Sequence, residues 1–296
     1  MNGMSGTVEL AYRHCRHIAR EQARNFYYAF VTLPKRKRLA IYAAYAFCRL
    51  CDDIADEELS LEVKIDQLAE TRQRLADAFV GKAQELVFIA LQDAFREFNI
   101  PLEYFEDVTR GVEMDLTQTR YRTFDELQSY CYKVACSVGL ICIQVFGYND
   151  SQAKDHAINL GLAMQLTNIL RDIKEDAHRG RIYIPLDEIE AFGYSEEELQ
   201  QGVINEQFRA LMAFQVKRAR HYFETSKRLL PLLSMRSRAC PGVLGGLYSG
   251  VLDRIESAGY DVFDRRIGLS TPQKLMLTAK LWAESLTPSI HRLRES

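Results

Sequence analysis

The 296-residue chain carries 38 Lys and Arg against 40 Asp and Glu, a formal net charge of −2. Such a balance argues against nucleic acid as the main partner, because nucleic-acid binders normally carry a basic excess. The length exceeds the roughly 150 residues typical of one domain, but the seven prolines are scattered and no Gly/Ser tract or long charge run intervenes. One helical domain over residues 1–296 is therefore expected, with a core large enough to enclose a long apolar ligand.

Apolar residues recur at helical spacing from end to end and alternating strand patterns are hard to find, so the fold class expected is all-α, a bundle of many helices with short connections. In chain order, the first notable segment is Tyr45-Ala-Phe-Cys-Arg49-Leu-Cys-Asp52-Asp53-Ile-Ala-Asp56-Glu57. On a helix Asp52 and Asp56 lie one turn apart on one face, with Asp53 beside Asp56. Cys48 and Cys51 form a lone C-x-x-C here. Zinc would need a second ligand pair, for which the nearby His14 and His17 are a weak candidate, so buried helix thiols are the reading. The seven cysteines are odd in number, irregularly spaced and without a secretory signal, which points to reduced thiols in a cytoplasmic protein.

Thr123 with Glu126 fits a capping box that starts a helix. The most apolar run, Val134 to Tyr148, is too short to span a bilayer and contains Gln144, so a core helix is expected and no transmembrane segment. A turn follows at Gly147-Tyr-Asn-Asp150. The second notable segment is Gln165-Leu-Thr-Asn168-Ile-Leu-Arg171-Asp172-Ile-Lys-Glu175-Asp176. Asn168, Asp172 and Asp176 fall on three successive turns of one face, among Leu166, Ile169, Leu170 and Ile173, so this helix should be largely buried. Gly180 and Gly193 mark further turns, and Ser195 with Glu198 fits a second capping box. Gly242 to Gly250 is Gly-rich but lies in a helical context without a preceding strand, which suggests close helix packing rather than dinucleotide binding. Pro272 after Thr271 suits a first helical position.

Like charges at i,i+4 destabilise a helix by about 0.2–0.5 kcal/mol each, and by more when buried, so the two acidic segments need compensation. For the first alone, a solvated acidic helix end would do. For the second, an Asn and two Asp on a stripe among apolar residues require a reason. Mg²⁺ takes oxygen ligands, usually one or two carboxylates completed by phosphates and water. Two acidic helices facing each other would hold two or three Mg²⁺ bridging to a diphosphate, with Arg49 and Arg171 placed to bind phosphate oxygens.

At these residues the chain resembles the squalene/phytoene synthase family of head-to-head prenyl transferases, over about residues 26–275. The resemblance runs through Phe26-Tyr-Tyr-Ala-Phe30…Leu33-Pro34, Tyr45-Ala-Phe-Cys-Arg49 with Asp52-Asp53-x-x-Asp56, and Tyr130-Cys-Tyr-Lys-Val-Ala135…Gly139. It continues through Gln165 to Asp176, Arg179-Gly-Arg181-Ile-Tyr183-Ile-Pro185 and Gly259-Tyr-Asp-Val-Phe263. It implies an isoprenoid-synthase-type bundle around a deep apolar channel. Asp52, Asp56, Asn168, Asp172 and Asp176 match the Mg²⁺–diphosphate ligands, and the four Asp are counted as catalytic. Tyr45, Arg49, Gln165, Arg171 and Tyr248 match substrate-binding positions, Tyr130 the tyrosine thought to assist catalysis, and Arg179 to Tyr183 a flap over the site. Many members carry a Ser-rich stretch just before the position of Phe26. This chain has Gln22-Ala-Arg24-Asn25, where Arg24 and Asn25 would supply the donors.

The implied reaction joins two allylic prenyl diphosphates. Farnesyl diphosphate with a stop at presqualene diphosphate is the favoured version, which needs no NADPH. Phytoene synthesis from geranylgeranyl diphosphate, NADPH-dependent squalene synthesis, and a non-catalytic helical assembly protein are the alternatives. Terpene cyclases are disfavoured by Asp172 and Asp176 at the second and third positions of the metal motif. The C15 preference comes from counting back along the first acidic helix. Arg49, Tyr45, Tyr42 and Arg38 share the face of Asp52, and Tyr42 lies about 15 Å down the axis. There Tyr42 and Phe30 would form a floor. A greasy product is compatible with loose, peripheral contact with a membrane.

Overall fold

The computed structural model describes residues 6–23 and 25–286, apart from the side chains of residues 25, 285 and 286. Among them no strand occurs, and only two isolated bridges, Arg120 to Ile182 and Tyr148 to Leu233. The helices in chain order are α1 (Gly6–Gln22), α2 (Asn25–Phe30), α3 (Lys35–Asp56), α4 (Leu61–Phe79), α5 (Leu86–Phe98), α6 (Leu102–Thr117) and α7 (Phe124–Cys131). A π-turn (Tyr132–Cys136) leads into α8 (Ser137–Phe146), then α9 (Ala153–His178), α10 (Leu186–Ala191), α11 (Glu196–Gln201), α12 (Glu206–Ser226), α13 (Ala239–Ser257) and α14 (Thr271–Leu286). The all-α expectation holds, and Pro272 falls in the first turn of α14.

Two apolar cores meet along α9. In the first, Phe47 of α3 packs edge-on against Phe105 of α6 at 5.3 Å and Phe88 of α5 at 6.2 Å. In the second, Leu166, Ile169, Leu170 and Ile173 of α9 pack with Leu211, Met212 and Val216 of α12 and Leu252 of α13. Ile158, Leu160 and Met164 border both. A helix with apolar neighbours on two sides has little room for charge, which is why the Asn168, Asp172 and Asp176 stripe stands out.

The caps follow the sequence with one change. Ser195 and Glu198 make the full capping box. Thr123 accepts from the Glu126 N–H, but the Glu126 carboxylate reaches the N–H of Arg122 at 2.7 Å instead of the cap's own. The apolar run also sits in a longer helix than expected. α7 runs through the π-turn into α8 without a break, giving a stretch from Phe124 to Phe146 long and apolar enough by length and composition to cross a membrane. Half of its most apolar window is buried inside the bundle, as suits a core helix. Its far end is held by Lys37, whose ammonium donates to the Phe146 carbonyl at 2.6 Å, to Ser234 at 2.9 Å and to Ser237 at 3.0 Å. A cation at a helix C-terminus is the favourable placement.

The π-turn brings this helix close to α9. A Cβ on Gly161 would stand 2.8 Å from Cys136 Cα and 2.9 Å from the Ala135 carbonyl oxygen, both backbone atoms that cannot swing aside. The glycines of α13 have the packing role suggested by their helical context, with Gly246 against Leu281 and Gly250 against Leu269. Gly161→Ala is therefore expected to cost about 1–3 kcal/mol as an overpacking change. Gly245→Ala, whose Cβ meets only Leu160 Cδ1 at 3.6 Å, should be close to neutral. Thermal melts followed by circular dichroism compare the two, and equal melting temperatures would remove the close approach.

Candidate active site

The last turn of α3 carries Arg49, Asp52, Asp53 and Asp56. Arg49 pairs with Asp53 one turn on, so Asp53 is engaged within its own helix while Asp52 and Asp56 face outward from it. Asp52 is exposed to water, yet enough protein crowds around it that desolvation, with repulsion from Asp56, Asp115 and Asp53, pushes its carboxyl up to about 7 against the pull of Arg49.

Facing it, α9 presents Gln165, Asn168, Asp172 and Asp176. Arg171 forks onto its neighbour Asp172, its Nε at 2.9 Å, and Arg266 reaches Asp172 at 3.2 Å and Glu175 at 3.7 Å. Asp176 is pushed up to about 7 by burial and by Asp172, Asp115 and Glu175, opposed by Arg181. Arg179 ties the two helices together, lying 3.5 Å from Asp56 and 3.7 Å from Glu175. The two acidic segments do converge.

Between them stands a residue that sequence reasoning passed over. Asp115, near the end of α6, accepts the Tyr130 hydroxyl at 2.8 Å on one carboxylate oxygen and the Tyr183 hydroxyl at 2.7 Å on the other. Arg181 donates to its backbone carbonyl at 3.0 Å. A signal existed, because Phe105, Val108, Val112 and Asp115 continue one buried stripe at spacings of three and four. Arg266 left no such signal, being in the non-periodic connection between α13 and α14.

Two polar atoms of the site are buried without a partner, Asn168 Oδ1 and Arg49 Nε. Asn168 spends its amide hydrogens on Gln165 at 3.2 Å and on Tyr248. Its oxygen is left as an open acceptor of the kind a hard cation takes up, and Arg49 Nε as an open donor for an anion. Among the described residues no three His, Cys, Asp or Glu side chains come close enough to hold a metal ion by themselves. A cation here would take part of its oxygen shell from a bound phosphate. The seven cysteines are free thiols, and burial pushes both Cys48 and Cys51 upward from the ordinary thiol range.

Beside this constellation a cavity of about 290 Å³ is lined by Arg171, Arg266 and Lys274, by Phe26, Tyr45 and Tyr248, and by Gln22, Ala23, Val251, Ile267, Gly268 and Leu269. Cations meet an aromatic and aliphatic wall, which suits a molecule with an anionic head and an apolar tail. A second cavity, of about 360 Å³, shares Arg171 and Arg266 with it. An aromatic file continues inward. Phe26 packs on Tyr248 at 6.0 Å, on Tyr45 at 6.3 Å and on Phe30 at 6.0 Å, and Phe30 meets Tyr42 at 6.1 Å. Phe30 and Tyr42 are thus brought together as the helix count expected, but neither lines the cavity. Its apolar lining comes instead from Phe26, Val251, Ile267 and Leu269, because distance along the α3 axis does not measure the path of the space beside it. Arg24 lies outside the described residues. Asn25 opens α2, and its side chain also lies outside them.

Comparison with known proteins places these features. The squalene/phytoene synthase family model matches residues 19–273. The 15-cis-phytoene synthase of Synechocystis sp. is 39% identical over 288 residues, covering 93% of this chain and 86% of the relative. The phytoene synthase of Mycobacterium tuberculosis is 38% identical over 283 residues, covering 95% and 93%. A dehydrosqualene synthase crystallised in complex with a ligand superposes with a TM-score of 0.87 at 31% identity, over 94% of this chain and 97% of that one.

The raised carboxyls set a pH dependence. With Asp52 and Asp176 near 7 in the folded chain and about 3.9 when unfolded, the folded state holds protons that the unfolded chain releases. Stability should therefore fall as pH rises from about 4 to 7. In chelator the melting temperature is expected to drop across this window, and less steeply in Asp176→Asn. A drop of the same slope in both proteins would mean that other groups dominate.

Proposed function

The chain belongs to the squalene/phytoene synthase family, and from that membership we propose that this prenyltransferase is a phytoene synthase, joining two geranylgeranyl diphosphates head to head with Mg²⁺. The choice of product rests on the relatives just described, two of them phytoene synthases at 38–39% identity over more than nine-tenths of this chain. They weigh against the presqualene diphosphate version favoured on sequence alone. Val251, Ile267 and Leu269 line the cavity while Phe30 and Tyr42 do not, which removes the ground given for a C15 limit. The chemistry rests on the two converging acidic faces and the open oxygen of Asn168.

In this reading Asp52 and Asp56 on one side and Asn168, Asp172 and Asp176 on the other hold the cations. Mg²⁺, when bound, neutralises the charge that builds on a leaving diphosphate. Arg49, Arg171, Arg266 and Lys274 take the phosphate oxygens, so that C1–O cleavage leaves the negative charge among fixed donors. Gln165 orients Asn168 by their hydrogen bond. Phe26, Tyr45 and Tyr248 exclude water from the allylic cation and turn electron-rich faces toward it. The C2–C3 alkene of the second substrate attacks that cation, and loss of a proton closes the cyclopropane of prephytoene diphosphate. In this reading Tyr130, whose hydroxyl donates to Asp115 at 2.8 Å, assists at these steps through its oxygen. Ionisation of this intermediate and a final proton loss give phytoene, so the sequence of steps assigns no role to NADPH. The same reading puts the enzyme in the cytoplasm, at or beside a membrane that receives the hydrocarbon.

Purified protein supplied with geranylgeranyl or farnesyl diphosphate, with and without Mg²⁺ and NADPH, tests this. Phytoene from the C20 substrate, dependent on Mg²⁺ and indifferent to NADPH, is expected. Presqualene diphosphate from farnesyl diphosphate as the dominant product would restore the C15 version, and no product from either would sink both. Asp52→Asn and Asp172→Asn should each lower turnover by about 10²-fold or more while leaving helical circular dichroism unchanged. Near-normal turnover in either would remove that helix from the metal site.

A further inference from the structure

We propose that Asp115 is a positioning residue rather than a metal ligand, and that its carboxylate locks Tyr130 and the 179–183 connection into one unit beside the two acidic faces. The proposal deepens the prenyl-transfer reading and rests on it. Asp115 is a carboxylate lying among carboxylates, with Asp52 and Asp176 both feeling its charge. Yet each of its oxygens is already taken by a phenol. Tyr130 of α7 donates to Oδ2 at 2.8 Å, and Tyr183, beyond α9, donates to Oδ1 at 2.7 Å.

The geometry reaches further than the two bonds. The Tyr130 and Tyr183 rings stack at 5.3 Å, and Tyr121 packs on both at 5.4 and 5.7 Å. The 179–183 connection is tied down nearby by Arg120 on the Gly180 carbonyl at 2.7 Å and by the Ile182 N–H on Thr119 at 3.0 Å. It carries Arg179, which spans to Asp56, and Arg181, which bonds the Asp115 carbonyl. One carboxylate thus joins α6, α7 and the connection that brings two arginines to the site.

Two chemical consequences follow. With its proton committed to Asp115, Tyr130 meets any further partner through its oxygen, as an acceptor. And the position calls for Asp rather than Asn, because an amide has a single acceptor oxygen and cannot take both phenols on separate oxygens.

Asp115→Asn is the test, read by four measurements on the full-length protein with geranylgeranyl diphosphate. Turnover should fall about 10–100-fold, the usual effect of removing a group that orients a reacting one. The Mg²⁺ concentration at half-maximal rate should not move. The share of ionised substrate that leaves as the C20 alcohol should rise, because a loosened cover admits water. Asp115→Asn combined with Tyr130→Phe should be no slower than the slower single variant, since both changes break one unit. A raised Mg²⁺ requirement with wild-type turnover at saturating Mg²⁺ would make Asp115 a metal ligand and overturn the proposal, as would losses that multiply in the double variant. If Asp115→Asn does not fold, Tyr183→Phe decides: reduced turnover with more alcohol upholds the lock, and wild-type behaviour ends it. Wild-type protein that forms no coupled product would instead be a failure of the prenyl-transfer reading, seen before any variant is made.

Discussion

The crowding of carboxylates partly out of water is the constraint on which this molecule turns. Asp115, Asp172 and Asp176 are set partly out of water with the more exposed Asp52 and Asp56 beside them, and desolvation first, then their mutual repulsion, pushes Asp52 and Asp176 up to about 7. Left to themselves such groups protonate or drive the helices apart. Here arginines partly balance them, Arg49 on Asp53, Arg171 and Arg266 on Asp172, and Arg179 between Asp56 and Glu175. The remaining imbalance is what the proposed cation and its phosphate partner would relieve. The protein holds it only because α9 is clamped between two apolar cores, so the long helix cannot turn its acidic face away.

The clamp in turn depends on backbone proximity. Gly161 lets α9 lie against the π-turn after α7, within reach of Cys136 Cα and the Ala135 carbonyl. The same continuous helix carries Tyr130 near one end and is gripped by Lys37 at the other. Position at the phenol is therefore set by contacts well outside the site, through a rod whose ends and middle are all fixed.

Much of this was legible in the sequence. A 3.6-residue period makes Asn168, Asp172 and Asp176 a stripe on paper, and buried apolar neighbours make that stripe costly, so chemistry was the natural inference. Asp115 went unnoticed because it stands alone, without an acidic partner a turn away, although it continues a buried stripe. Arg266 lies in a connection where no period exists, and only tertiary folding brings it to Asp172. The length of the Phe124 to Phe146 helix was hidden because composition marks where an apolar run stops, while a helix continues through polar residues and a π-turn. The Phe30 and Tyr42 contact was foreseen by helix arithmetic. Its relation to the cavity was not, since an axis count knows nothing of neighbouring helices.

The aromatic file has a separate origin from the acidic faces. Phe26 and Phe30 ride on the six-residue α2, Tyr248 on α13, and the carboxylates on the ends of α3, α6 and α9. Side chains on so short a helix can be exchanged without disturbing the long rods that aim the carboxylates. In such a scaffold the shape of the apolar wall and the arrangement of the carboxylates become independent characters. One can drift by single substitutions while the other stays under constant selection, so the wall is able to change shape without loss of the acidic faces.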